Sequence, residues 1–67
     1  MATETGREVI GTGARGEVVI IARQHNTDGA TATYDEYEVR HGAFSMGLFK
    51  TRNDALRTAQ ALTKALV

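Results

Sequence analysis

Tyr34-Asp35-Glu36-Tyr37-Glu38-Val39-Arg40-His41-Gly42-Ala43-Phe44-Ser45-Met46-Gly47-Leu48-Phe49 is the stretch that decides the fold. In its first half, Tyr37 and Val39 alternate with Glu36, Glu38 and Arg40, the pattern of a half-buried strand. Glycine sits comfortably in the second place of a tight turn, so His41-Gly42 reads as a two-residue hairpin connection. That turn sets Arg40 opposite Ala43, Val39 opposite Phe44 and Tyr37 opposite Met46. Directly opposed residues share a face. Tyr37, Val39, Phe44, Met46 and Leu48 therefore make one apolar side, and turn geometry agrees with hydrophobic pattern.

Downstream, Thr51-Arg52-Asn53-Asp54 resembles a capping box, with Thr51 as N-cap and a carboxylate three residues on. A helix is expected from Arg52 to Val67. Ala55, Leu56, Ala59, Leu62, Thr63 and Leu66 fall on one stripe, with Asn53, Arg57, Gln60 and Lys64 opposite. Alanines at 55 and 59 let such a helix lie close to a sheet. Upstream, Glu17 to Arg23 holds four consecutive β-branched residues, Val18 to Ile21, and reads as a strand. It does not alternate, so both of its faces call for cover. Residues 24–33 form a turn region around Asp28-Gly29, Glu8-Val9-Ile10 begins the sheet, and residues 1–7 are expected to fray. The expected fold class is α+β. A small antiparallel sheet of three to four strands (residues 8–49) packs on one C-terminal amphipathic helix (51–67), all in a single domain, 1–67.

With 67 residues the chain buries only about 60% of its unfolded surface. It has no cysteine, so neither a disulfide nor a thiolate-held metal supplements the core. The apolar side chains must suffice, or a second copy or a partner completes them. Net charge is zero: residues 1–36 carry three arginines against six carboxylates, residues 37–67 five basic against two acidic side chains. No apolar run approaches the roughly 20 residues of a bilayer span. The segment MATETGREV lacks the basic start and apolar stretch of a signal peptide. A cytoplasmic location without membrane contact is the expectation.

Chemistry-bearing residues are sparse. His25 and His41 are the two histidines and fall in predicted turns, with no H-x-H or HExxH spacing, so no metal is expected. Ser45 is the single serine and lies in a predicted strand without an assigned base. No catalytic residue and no cofactor are expected, and the chain reads as a non-enzyme.

Two segments carry resemblances. Val9-Ile10-Gly11-Thr12-Gly13-Ala14-Arg15-Gly16-Glu17-Val18-Val19 resembles the glycine-rich loop of protein kinases, which implies a backbone lying over phosphates. A strand follows rather than a helix, Arg23 stands where a lysine-bearing strand should develop, and a flexible hairpin connection is the expected role. The C-terminal half is similar to the small three-stranded DNA-binding domains of the integrase arm-binding type, through Gly47, Phe49, Thr51 and Ala55. That resemblance implies an exposed sheet face reading a groove. Here the face offers Glu36 and Glu38 beside Arg40, and carboxylates repel phosphates.

A single helix covers a single sheet face. The expected function is accordingly a small protein-interaction module of regulatory or inhibitory type, acting as a homodimer or on a protein partner. Its uncovered face would use Val19, Ile21, Tyr34 and Phe49 as apolar contacts and Glu38 and Arg40 as rim charges. The alternative is weak nucleic-acid binding through Arg40, Lys50, Arg52, Arg57 and Lys64.

Overall fold

The computed structural model describes residues 2–26 and 33–64, and the expected Asp28-Gly29 turn and Leu66 lie outside them. Strands β1 (Ala2–Gly13), β2 (Gly16–Asn26), β3 (Thr33–His41) and β4 (Phe44–Phe49) precede helix α1 (Arg52–Lys64). All neighbours are antiparallel, in the order β1-β2-β3-β4, and α1 packs across one face. The α+β architecture expected from the sequence is the one observed.

α1 starts where its cap predicts. The Asp54 amide donates to the Thr51 hydroxyl at 3.3 Å, which satisfies one of the orphan N–H groups of the first turn. Ala55 and Ala59 are fully buried against Val18, Ile20 and Val39, with Ile10, Tyr37, Phe49, Leu56 and Leu62 packed around them. Small side chains at 55 and 59 bring the helix backbone close to the strands. Burying each Val or Ile here contributes about 1.5–3 kcal/mol. Arg52 fixes the start of the helix to β1, its guanidinium reaching the Glu8 carboxylate at 2.6 and 2.9 Å.

Three details depart from the sequence expectations. First, β1 begins at Ala2, so residues 2–7 are strand rather than frayed. β2 runs on to Asn26 and offers Ala2, Thr3 and Glu4 partners at His25, Gln24 and Arg23. Second, the β3–β4 turn is Gly42-Ala43, one residue later than His41-Gly42. His41 pairs with Phe44, and Gly42, at φ 64°, takes the first central place, where a type II′ turn needs positive φ. Third, β4 carries a bulge at Met46: Arg40 faces Ser45 but Val39 faces Gly47. An extra residue reverses every side chain beyond it. Gly47 and Phe49 thus take the helix side with Val39 and Tyr37, and Leu48 goes to the other.

The glycine-rich segment is a hairpin. Gly13 pairs with Gly16 across Ala14-Arg15, and the Arg15 amide donates to His41 Nε2 at 3.1 Å. The two hairpin ends lie side by side, joined by Gly42 N–H donating to the Glu17 carbonyl at 2.9 Å. A Cβ on Gly13 would run into the His41 ring. These glycines answer to packing within the sheet corner.

Candidate functional site

Among the described residues, no helix packs on the face of the sheet turned away from the α1 core. Its composition follows from register. One row across the four strands reads Val9, Val19, Arg40, Ser45; the next reads Arg7, Ile21, Glu38, Leu48; beyond them lie Glu4, Arg23, Glu36 and then His25 beside Tyr34. Val9 and Leu48 are 55% and 60% exposed, Val19 is half-buried, and Ile21 is buried at 1%. Ile21 stands outside the helix-side core and is shielded by the side chains flanking it on its own face.

Glu38 is the electrostatic centre. It is 7% exposed, and its carboxylate accepts from Arg23 at 2.8 Å with Arg40 at 3.5 Å. The Ser45 hydroxyl holds its pKa below the ordinary 4.5, against the opposing effect of burial and with further help from Arg23 and Arg40. The linkage follows directly. In the interval below 4.5 the unfolded chain binds this proton and the folded chain does not. The contribution of Glu38 is complete above that value and is lost as pH falls through its lower folded one. Urea midpoints recorded from about pH 6 down to about pH 2.5 should therefore drop for the native chain. Glu38→Gln should flatten that acid limb, and an equally steep limb in the variant would assign it elsewhere.

At the far end of the same face, His25 and Tyr34 stack with ring centroids 4.8 Å apart, and His25 Nε2 lies 2.9 Å from Glu36. His41 is on the helix side at the opposite end of the sheet, so the two histidines do not meet. Among the described residues no three His, Cys, Asp or Glu side chains gather as a metal would require.

The structure brings Val19, Ile21, Tyr34, Glu38 and Arg40 onto one face and removes Phe49 from it. Phe49 packs against the core, the consequence of the Met46 bulge, and Leu48 takes its place. Glu38 is central rather than at the rim, buried between the guanidinium groups of Arg23 at 2.8 Å and Arg40 at 3.5 Å. Val9, Arg7 and Leu48 join the face without having been expected there. Gly47 inside an apolar strand was the available signal for the bulge that exposes Leu48.

The basic residues do not converge. Arg40 lies on the open face, Arg52 is engaged by Glu8 on the helix side, Arg57 is exposed on α1, and Lys50 follows the end of β4. The Lys64 side chain is outside the described residues. The open face itself alternates Arg7, Arg23 and Arg40 with Glu4, Glu36 and Glu38, and so presents no single-sign field. No helix of the described residues is long and apolar enough to cross a membrane. Scans against protein-family models, curated proteins and solved structures find no match for this chain.

Proposed function

We propose that this chain is a non-enzymatic protein-interaction module that works through the helix-free face of its sheet, with a second copy of itself as the occupant. The observation that carries this is Val9 beside Val19, with Leu48 across Glu38 from Ile21, Val9 and Leu48 being more than half exposed on the face away from α1. Alternating charges on that face suit a surface of the same kind related by a two-fold axis. They suit a polyanion poorly.

Dimensions set the expected strength. β3 spans nine residues. At about 3.3 Å per residue and about 4.8 Å for each of the three spacings between four strands, the face measures roughly 430 Å². Stable partners bury about 800 Å² each, so this association belongs to the weak, transient class. Sedimentation equilibrium through the micromolar range should show mass rising from 7.2 kDa toward twice that value. Val9→Glu and Leu48→Glu should hold the mass at that of one chain while the thermal melt stays in place, because both side chains are already in water. A monomer at every concentration would remove the second copy as occupant.

A further inference from the structure

β3 is longer than the strand beside it. β4 ends at Phe49, opposite Tyr37, and the chain turns away into α1, whereas β3 continues through Glu36, Asp35 and Tyr34 to Thr33. On its other side β3 is paired with β2 over its whole length. Among the described residues, the β4-facing backbone edge of residues 33–36 has no partner strand. A groove of about 640 Å³ lies in this notch, lined by Tyr34, Asp35, Glu36, Leu48, Phe49 and Lys50. Unpaired strand edges are templates for another strand.

We infer that the notch accepts an extended peptide from another protein, added antiparallel to β3 in line with β4. The added segment supplies main-chain hydrogen bonds, and alternate side chains read the two faces of the sheet. Continuing the register beyond Tyr37–Phe49 sets three successive peptide residues opposite Glu36, Asp35 and Tyr34. The first faces Glu36, whose carboxylate lies 2.9 Å from His25, with Lys50 and Leu48 beside it, and calls for a neutral side chain. The second faces Asp35, which is exposed and free of any ion pair among the described residues, and calls for Lys or Arg. The third lies against Tyr34, 53% exposed, and calls for an apolar or aromatic side chain. A second copy of this chain fits badly here, since two-fold pairing of residues 33–36 crowds the Asp35 and Glu36 carboxylates of both copies. The notch adjoins the dimer face proposed above, sharing Tyr34, Glu36 and Leu48 with it, but its backbone edge and Asp35 lie outside that face, and a monomeric chain would carry it equally.

The test uses a randomised octapeptide library displayed on phage and selected against the whole chain, followed by the enriched peptide in synthetic form. Enriched sequences should carry a basic residue immediately before an apolar one. On titration, backbone amide resonances of residues 33–36 and 48–50 should shift. Methylating the peptide nitrogen that donates to β3 should weaken binding roughly tenfold, the loss of one hydrogen bond. Asp35→Lys should weaken the basic peptide and favour one with Glu in its place, while Val9→Glu should leave binding unchanged. The inference is overturned if no sequence is enriched, if methylation has no effect, or if the shifts fall on Val9, Val19 and Ile21.

Discussion

Ile21→Asp should leave the chain unfolded at 25 °C. Ile21 is 1% exposed within a single chain, on the face that carries no helix. The substitution forfeits about 1.5–3 kcal/mol of apolar burial. It also sets a carboxylate directly across from Glu38, at a site closed to water. Desolvation and like-charge repulsion raise the total to about 4–6 kcal/mol. A domain of this length holds only about 3–10 kcal/mol. Loss of the cooperative melt in circular dichroism is the expected result, while Ile21→Val, costing about 1 kcal/mol, keeps it. A folded Ile21→Asp protein with an unshifted melt would mean that the open face is looser than described. The contrast with Leu48→Glu matters. Two aliphatic residues on one face give opposite outcomes, because the chain shields one and leaves the other in solvent.

Gly42→Ala should be the most damaging single-methyl change, at about 3–4 kcal/mol. Left-handed backbone accounts for about 1–2 kcal/mol of this. The larger part is spatial, since the new Cβ overlaps the Arg15 carbonyl, and that carbonyl is backbone with nowhere cheap to go. Moving it strains the contact between the hairpin ends, Gly42 N–H to the Glu17 carbonyl and Arg15 N–H to His41 Nε2. A synthetic chain with D-alanine at 42 prefers positive φ and directs its methyl the other way. Urea unfolding should place it near the native chain, several kcal/mol above the L-alanine form. Equal stability of the two forms would show that the hairpin ends do not touch.

Much of the architecture was legible because it rests on local periodicity. The α1 stripe, the Thr51 cap and the run of β-branched residues in β2 are statements about neighbours in sequence, and each formed as read within the described residues, which end at Lys64. The open face was legible only in part. Val19, Ile21 and Tyr34 lie on it as expected, since β2 and β3 pair without interruption from Val18–His41 to Asn26–Thr33. Phe49 was misplaced, and Leu48 missed, through one inserted residue. His41-Gly42 and Gly42-Ala43 are both acceptable turns on local grounds. The choice between them depends on whether His41 can sit against Gly13 and accept from Arg15, two elements away.

What the sequence determined by itself was the kind of each element and the number of faces one helix could cover. Backbone propensity, capping and apolar spacing act over a few residues and do not wait for the rest of the chain. Tertiary structure alone decided which aliphatic residues stay in water, that Glu38 is buried between Arg23 and Arg40, and that β3 outruns β4. Those outcomes depend on register. Register is set by bulges and by contacts between distant strands, whose cost and gain exist only once the sheet is assembled.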